Sequence, residues 1–398
     1  MSSREPPPTS RFRPADLTRD WSTLHRNSPI SKVAVAQGEA WLVTRHPDVR
    51  AVLSDSRFSV SPILPEGGHV PEQNDSLFQD PPGHTRLRNI AAKPFTATRI
   101  RLLQESIQAW AEELLGKTLE REVPFDFMES FAYPLTMNAI AQVIGIPHAD
   151  RADFRRRADA MLVPLESARS DTSATGWRWL NDYVESLLRS RRAAGNPGED
   201  VIASFLEACD EQALVNEEEL VTMILGLPIA GYVSTANALA VAVEQLVAHG
   251  WLAELRASPG LIDPFVEEVL RVQSGDNGES MPRFATMDME FRGVLIRRGD
   301  IVLAPLVAAN RDASVFKEPM AFDPRRESNR HIAFGFGIHR CLGASLARTE
   351  LRCAVRAMTA TTGSLSFYQD WQVAPLRSNM FGDLYPETVM LCWSDETA

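Results

Sequence analysis

Apolar residues recur at every third or fourth position through most of the chain, which is the spacing of amphipathic helices. The pattern predicts helices over residues 100–119, 152–161, 179–192, 217–249, 264–272 and 342–359. Strand-like runs are fewer and shorter, and they predict strands over residues 39–44, 290–296, 301–306 and 388–393, with Arg298-Gly299-Asp300 as a turn between two of them. The pattern therefore predicts a mainly α protein with a small antiparallel β region.

The segment 217–249 has a clear helix start. Asn216 can cap it, and Glu217, Glu218 and Glu219 place negative charge in the first turn, where the helix dipole favours it. Residues 223–230 are almost wholly apolar. Because a helix that is hydrophobic on all sides is buried, we expect this one to run through the middle of the molecule.

The composition of the 398 residues is that of an ordinary globular protein, with 44% apolar and 23% charged residues. Because the net charge is -11, neither nucleic acid nor an anionic membrane surface is expected as a partner. The sequence contains no repeat, no linker and no uninterrupted apolar run of membrane-spanning length. Residues 1–14 are interpreted as a loose tail, and residues 15–398 as a single domain of a cytoplasmic, monomeric protein.

The four cysteines lie far apart and form no CxxC pair, so we expect a reducing compartment and no disulfide framework. Cys209, Cys353 and Cys392 stand in apolar patterns and are interpreted as core residues, the usual setting of a free cysteine. Cys341 differs because it follows a glycine-rich loop and precedes a helical pattern. At a helix N-terminus beside Arg340, its thiolate would be stabilised by amide donors and positive charge.

The loop that carries Cys341 has the complete pattern F-x-x-G-x-x-x-C-x-G, formed by Phe334, Gly337, Cys341 and Gly343. Gly337 permits a positive φ, and Gly343 lets a flat cofactor lie close to the helix backbone. The pattern resembles the haem-binding signature of the cytochrome P450 family. Further segments extend the resemblance over nearly the whole chain: Asp80-Pro81-Pro82, His84-Thr85-Arg86-Leu87-Arg88, Glu268 with Arg271, residues 308–312, and Phe322-Asp323-Pro324.

The resemblance implies the cytochrome P450 fold in a single haem-containing domain, with the Cys341 thiolate as axial ligand of the iron of haem b. Thiolate ligation of haem iron favours cleavage of the O–O bond of oxygen. The implied enzyme uses O2 and electrons from NAD(P)H, delivered by a ferredoxin reductase and a ferredoxin. Arg340, Arg348 and Arg352 flank the cysteine and are interpreted either as the ferredoxin docking patch or as a solvated helix face.

By the same resemblance, His84, Arg88, Arg283 and His339 contact the two haem propionates. His84 and Arg88 are four residues apart, so on a helix they share one face. Taken alone, each of the four residues would be interpreted as a charged residue at the protein surface. Their positions within the family's motifs favour the propionate role instead.

Glu268 and Arg271 match the E-x-x-R pair of the family and are i, i+3 neighbours on a predicted helix. The implied role is a buried ion pair that holds the cysteine loop in place. The family usually adds an arginine at the position of Ala321. Arg325 and Arg326 are the candidates to replace it.

The predicted central helix contains Ala230-Gly231-Tyr232-Val233-Ser234-Thr235, where the family has A-G-x-acid-alcohol-Thr. The small Ala230 and Gly231 are expected to leave room for oxygen above the iron. Val233 stands at the acid position and Ser234 at that of the usual threonine, so proton delivery needs another route. Two interpretations stay open: ordered water carries the protons, or the substrate supplies an O–H or N–H group of its own.

The A-G-x-x-S-T pattern also resembles the cyclic-dipeptide-oxidising members of the family, mycocyclosin synthase and the diketopiperazine dimerases. This implies oxidative coupling, through a C–C or C–N bond, of an aromatic cyclic dipeptide such as a tryptophan-containing diketopiperazine. The alternative is hydroxylation of a terpenoid, polyketide or other small hydrophobic metabolite, and a remote alternative is a non-catalytic haem-binding module. Substrate contacts are expected from Trp179, Met281, Phe284, Met380 and Phe381.

Overall fold

Helices dominate the part of the chain that the computed structural model describes, which is residues 20–35, 38–62, 79–119, 124–159, 171–195, 198–211, 214–273, 281–368, 376–378 and 384–394. In chain order the helices are α1 (Trp21–Asn27), α2 (His46–Ser54), α3 (Gly83–Ala92), α4 (Ala97–Leu119), α5 (Tyr133–Ile144), α6 (Arg151–Asp159), α7 (Asp171–Ala193), α8 (Val201–Leu206), α9 (Glu217–Ala248), α10 (Trp251–Ala257), α11 (Ile262–Gln273), α12 (Leu306–Ala309) and α13 (Ala344–Ala360). The mainly helical fold class expected from the periodicity is confirmed.

The strands are β1 (Ile30–Val35), β2 (Gly38–Val43), β3 (Phe58–Ser59), β4 (Phe125–Asp126), β5 (Arg283–Ala285), β6 (Met289–Phe291), β7 (Val294–Ile296), β8 (Ile301–Leu303), β9 (Ser364–Phe367), β10 (Leu376–Ser378), β11 (Leu384–Pro386) and β12 (Met390–Ser394). The largest sheet has the order β1-β2-β8-β5-β3, and smaller sheets contain β4-β12-β9, β6-β7 and β10-β11. Neighbouring strands are antiparallel except β2 and β8, where Ala40 lies opposite Ile301. The β region is therefore small and mostly antiparallel, with one parallel pair that the sequence pattern does not indicate.

The long helix α9 begins as its sequence predicts. The Glu219 backbone amide donates to Asn216 Oδ1 at 2.8 Å, and the Asn216 backbone amide donates to Glu219 Oε2 at 3.1 Å. The two side chains thus form a capping box that satisfies both backbone N–H groups. By length and composition α9 could cross a membrane, but 67% of its apolar window is buried inside the protein. It is the core helix of the main hydrophobic cluster.

The centre of the helical part is formed by α9 and α13. α13 packs against α4, α9 and α11, whereas α9 also packs against α5 and α7. The five-stranded sheet and α2 form a second hydrophobic cluster, with Val49 and Val302 among its members. The segment before α13 contacts α2 through the 3-10 turn Gly337–His339. The cysteine loop, residues 334–343, therefore joins the helical part to the sheet.

Candidate active site around Cys341

The cysteine loop is shaped by two glycines in the left-handed region. Gly335 has a φ of +70° and Gly337 a φ of +76°, and the Cys341 amide closes the loop by donating to the Phe334 carbonyl at 2.8 Å. A Cβ on Gly337 would lie 2.4 Å from the Leu53 carbonyl oxygen in α2. Position 337 therefore requires glycine both for its conformation and for its close approach to α2.

The Cys341 side chain lies just before Gly343, the N-cap of α13. It is accessible, yet it is enclosed deeply enough that burial raises the pKa of its thiol. The Gly343 amide and the positive charges of Arg88, Arg340 and Arg348 act to lower that pKa. A Cβ on Gly343 would have Cys341 Sγ, 3.9 Å away, as its nearest contact. The space beside Gly343 and the thiol is therefore open, and groups that stabilise a thiolate are in place.

Four basic side chains converge beside the cysteine loop: His84, Arg88, Arg283 and His339. The ring centroids of His84 and His339 lie 4.1 Å apart. Burial, followed by the charges of His84, Arg283 and Arg88, lowers the pKa of His339 to about 3. Arg88 also donates to the Arg340 carbonyl within the loop. The structure thus brings together the four residues that the sequence analysis expects at the propionates.

Two polar atoms of this basic cluster are unmatched within the described residues. Nδ1 of His84 and Nε2 of His339 are buried and have no hydrogen-bond partner. The Asp80 carboxylate lies 4.0 Å from His339 Nε2, and it accepts a hydrogen bond from Ser59 instead. Because buried polar atoms without partners are costly, the cluster fits an anionic group that offers acceptor oxygens.

Haem b, which the resemblance implies, matches these features. Its iron needs an axial ligand from the protein, and the Cys341 thiolate can supply one. Its propionates need cationic or hydrogen-bonding partners when they are buried, and the basic cluster offers both. The open space beside Gly343 leaves the helix backbone accessible to a flat ring. The residues present therefore fit the cofactor.

Glu268 and Arg271 of α11 are both fully buried, and two hydrogen bonds of 2.8 Å join their side chains. Burial acts to raise the pKa of the Glu268 carboxyl, but the bonds that it accepts outweigh this effect and lower the pKa. Arg271 further donates to three carbonyls of the segment that leads towards the cysteine loop, those of Asn310, Pro319 and Ala321. The pair therefore anchors that segment to α11.

Arg326 contacts Glu268 where the family has an arginine at the position of Ala321. Arg326 Nε donates to Glu268 Oε1 at 2.9 Å, and Arg326 Nη2 donates to the Ala321 carbonyl at 2.6 Å. Asn329, which the sequence analysis does not single out, donates to Glu268 Oε2 at 3.1 Å. Arg325 instead pairs with a glutamate of α10. Of the two candidate arginines, Arg326 occupies the third place in the network.

Ala230 and Ser234 in the middle of α9 are accessible, although most residues around them are buried. They are four residues apart and so lie on one face of the helix, and Ser234 Oγ donates to the Ala230 carbonyl at 2.9 Å. Val233, at the position of the missing acid, is only 5% exposed and belongs to the main hydrophobic cluster. We call Ala230 and Ser234 the accessible strip of α9.

Gly231 and Thr235 lie on the packed side of α9, and for Gly231 this differs from the expected room for oxygen. A Cβ on Gly231 would lie 2.8 Å from Cγ1 of Ile140 in α5. Its small size is therefore required for helix packing, rather than for room above an iron. Thr235 is buried, and its hydroxyl donates to the Gly231 carbonyl at 3.1 Å. The Thr235 side chain is not part of the accessible strip.

The expected substrate contacts occupy different parts of the structure. Met281 and Phe284 are partly buried at the start of β5. The Trp179 ring stacks on Tyr183 at 5.2 Å between centroids and lies beneath an arginine of α6, so it joins α7 to α6. These contacts are those of a packing residue. The other two expected positions, Met380 and Phe381, lie outside the described residues.

The three arginines considered for ferredoxin docking differ in whether their side chains form ion pairs. Arg348 donates to Glu267 from Nε at 2.7 Å and from Nη2 at 2.8 Å. Arg352 Nε lies 2.7 Å from an Asp263 carboxylate oxygen. The Arg340 side chain is exposed. Two of the three arginines are thus held in ion pairs with α11, a role that the sequence analysis does not assign to them.

Comparison with known proteins adds independent findings. A model of the family described as Cytochrome P450 matches residues 257–359. The chain is 37% identical to nocardicin C N-oxygenase of Nocardia uniformis subsp. tsuyamanensis, over 86% of this chain and 87% of that protein. It is 36% identical to mycinamicin IV hydroxylase/epoxidase of Micromonospora griseorubida, over 90% and 91%. The solved structure of the bacillaene polyketide synthase cytochrome P450 PksS of Bacillus subtilis 168 matches with a TM-score of 0.83 at 30% identity, over 97% of this chain and 100% of that chain.

Proposed function

The chain belongs to the cytochrome P450 family and is a monooxygenase of bacterial secondary metabolism, and from this premise we propose that it hydroxylates or epoxidises a small hydrophobic metabolite of the polyketide kind. The observation that carries the chemistry is an accessible Cys341 thiol beside a basic cluster with two unmatched nitrogen atoms. The substrate class is supported by the likeness to a mycinamicin IV hydroxylase/epoxidase and to a polyketide synthase cytochrome P450.

Haem b, when bound, supplies the activation of O2 by electrons from a redox partner. Cys341 would hold it through Sγ, and the Gly343 amide with the charges of Arg88, Arg340 and Arg348 would stabilise the thiolate form. His84, Arg88, Arg283 and His339 would hold the two propionates. Two carboxylates placed there would offset the mutual repulsion of these basic groups, which contributes to the low pKa of His339.

Ser234 is the residue proposed to hold a proton next to the substrate. Its hydroxyl lies on the accessible strip and donates to the Ala230 carbonyl, which fixes its orientation while its lone pairs remain free to accept. Val233 is buried and apolar, so it cannot pass a proton to Ser234. Protons must therefore reach Ser234 through ordered water or come from the substrate's own O–H or N–H group.

A second candidate function is oxidative coupling of an aromatic cyclic dipeptide such as a tryptophan-containing diketopiperazine. The buried Val233 at the acid position is the observation that favours it, because a substrate that supplies its own O–H or N–H needs no protein acid. The compared proteins, two of which are named for hydroxylation, epoxidation or N-oxygenation, favour oxygen insertion instead. We therefore place hydroxylation or epoxidation first.

The test is turnover by the haem-loaded protein with NAD(P)H and a surrogate ferredoxin and ferredoxin reductase, the electron route that we propose. A panel of macrolides and polyketides is compared with tryptophan-containing cyclic dipeptides, and products are identified by mass. Addition of one oxygen atom to a polyketide supports the first function. Dimers formed from cyclic dipeptides alone would replace it by coupling, and oxygen consumption that no compound stimulates would indicate a binding module.

The thiolate ligation itself is tested by carbon monoxide. The reduced protein is expected to show the red-shifted carbon monoxide band that gives the family its name, and Cys341→Ala should lose it. Cys353→Ala is the matched control, because Cys353 is fully buried and contacts the backbone of α4. A band that survives Cys341→Ala would overturn the assignment of the ligand.

A further inference from the structure

A tyrosine in the middle of α9 has a role that neither the family pattern nor the proposed function uses. Between Leu220 and Val243 the sequence contains no charged residue and a single ionisable one, Tyr232. Tyr232 is fully buried. A buried tyrosine usually has a partner for its hydroxyl group, so this side chain marks a point where another element is tied to the core helix.

The partner of Tyr232 is Asp159 at the end of α6. The Tyr232 hydroxyl donates to Asp159 Oδ1, and Arg155 lies 3.7 Å from the other carboxylate oxygen of Asp159. Arg155 also donates to Glu129, just before α5, at 2.8 Å. The Tyr133 ring of α5 meets the Tyr232 ring edge-on, 6.1 Å between centroids. We call these five residues the Tyr232 junction, in which α5, α6 and α9 meet.

The Tyr232 junction lies behind the accessible strip. Tyr232 is two residues from both Ala230 and Ser234, and two residues correspond to about 200° around a helix, so its side chain leaves the opposite face. On the α5 side the helix approaches closely because Gly231 has no Cβ to meet Ile140. α9 is therefore fixed from behind at the level of the accessible strip.

The electrostatics of the junction favour a neutral tyrosine that donates to a carboxylate. Burial, with the nearby Asp159, raises the pKa of Tyr232 well above its usual value. Burial also raises the pKa of Asp159, while the bond from Tyr232 and the charge of Arg155 act to lower it. A hydrogen bond from a hydroxyl to an ionised acceptor is stronger than a neutral one, so the bond is suited to hold the rotation of the helix.

We propose that Tyr232 is a positioning residue, whose bond to Asp159 sets the rotation and depth of α9 and thereby keeps the Ser234 hydroxyl in the place where we propose that it holds a proton. Between Leu220 and Val243 the helix has no charged side chain that could form an ion pair with a neighbouring element. The bond from Tyr232 to Asp159 therefore provides the polar attachment of this part of α9. The proposal rests on the monooxygenase activity but not on the substrate class. It predicts that loss of one hydroxyl, remote from the site, disturbs the accessible strip.

The test compares Tyr232→Phe with the wild-type holoenzyme, without any substrate. Amide hydrogen exchange of a peptide covering residues 225–236 should become about tenfold faster, the factor expected when a hydrogen bond to a charged group is lost. With NAD(P)H and a surrogate ferredoxin system, the peroxide released per O2 consumed should rise, because protons are delivered less accurately. Asp159→Ala should have the same effects, and the double variant should be no worse than either single one.

Tyr183→Phe is the matched control. Tyr183 donates to Asp150 at 2.8 Å and its ring meets Phe154 of α6, so the variant removes an equivalent bond in which α9 takes no part. Exchange of residues 225–236 should stay at the wild-type rate. An unchanged rate in Tyr232→Phe, or an equal rise in Tyr183→Phe, would overturn the proposal. If Tyr232→Phe retains too little haem, Asp159→Asn should still give an intermediate rise in exchange, and no rise would be equally decisive against it.

Discussion

Gly335 and Gly337 share a left-handed backbone, but Gly337 also lies against another element. Alanine at either position would be strained by about 1–2 kcal/mol. Only at Gly337 would the new Cβ also approach a backbone oxygen, that of Leu53, at 2.4 Å. Gly337→Ala is therefore expected to lower the free energy of unfolding more than Gly335→Ala and to lower haem retention, measured by urea unfolding and by absorbance after gel filtration. Equal losses in the two variants would show that the contact with α2 does not matter.

Glu350 of α13 predicts a pH effect on stability. It is 1% exposed, and its Oε2 has no hydrogen-bond partner within the described residues, so burial raises the pKa of its carboxyl well above 4.5. Below about pH 4.5 the carboxyl is protonated in both folded and unfolded chains and costs no stability; as the pH rises, only the unfolded chain ionises, and stability is lost. Glu350→Gln should therefore gain stability over the wild type, by an amount that increases as the pH rises above 4.5.

Urea unfolding at several pH values checks the Glu350 prediction. Glu112→Gln serves as control, because it makes the same substitution at an exposed carboxylate on the surface of α4. A constant difference between Glu350→Gln and the wild type at every pH would mean that Glu350 ionises in the folded protein.

Among the elements, α11 is held by a network of hydrogen bonds that joins its ion pair, Glu268 and Arg271, to residues outside the helix. Arg326 donates to Glu268 and to the Ala321 carbonyl, and only 7% of its side chain is exposed. Because Arg326→Ala removes a partner of a buried carboxylate, it should cost about 3 kcal/mol of unfolding free energy. Arg325→Ala, whose side chain is half exposed and pairs at the surface, should cost at most about 1 kcal/mol. Calorimetric Tm values of the two variants would contradict the assignment if their losses were equal.

Elements with strong periodicity and caps were predictable, and elements defined by tertiary contacts were not. The sequence predicts 217–249, and α9 runs Glu217–Ala248, because its capping box is encoded locally. The helix predicted at 179–192 begins at Asp171 instead. α5 was not predicted, since its residues are apolar on nearly all sides and show no polar face. The run 290–296 is a hairpin, β6 and β7, because Arg292 and Gly293 adopt positive φ.

The residues of the candidate site were predictable where a sequence motif follows from the requirements of the cofactor. They were not predictable where a residue acts through packing against another element. The pattern around Cys341 and the four basic residues follow from what a thiolate-ligated haem requires, and the structure brings those side chains together. The motif suggests that Gly231 leaves room for oxygen, but in the structure position 231 must be glycine because any side chain would clash with Ile140 of α5. No local sequence signal records such a contact. The role of Asp159 depends in the same way on where α6 ends against α9.

At the scale of the whole molecule, the net charge is -11, so a basic docking face for the proposed partner, an acidic ferredoxin, would depend on few residues. Arg348 and Arg352 are held in ion pairs with carboxylates of α11, whereas the Arg340 side chain is exposed beside Cys341. Arg340→Gln should therefore raise the KM for ferredoxin several-fold at low salt, with a smaller effect at high salt where exposed charges are screened. Arg352→Gln, which removes an already paired charge, should change it less.

Steady-state reduction at varied ferredoxin concentration and ionic strength measures the Arg340 effect, and the carbon monoxide spectrum verifies that the thiolate ligation is intact in both variants. An equal change in KM for Arg340→Gln and Arg352→Gln would mean that the ion pairs with α11 open when the partner binds. Unchanged KM values in both would place the docking surface on another face of the protein. Both variants remove one positive charge, but Arg352 is paired with Asp263 whereas Arg340 is exposed. A difference in KM between them therefore measures the effect of the ion pair on docking.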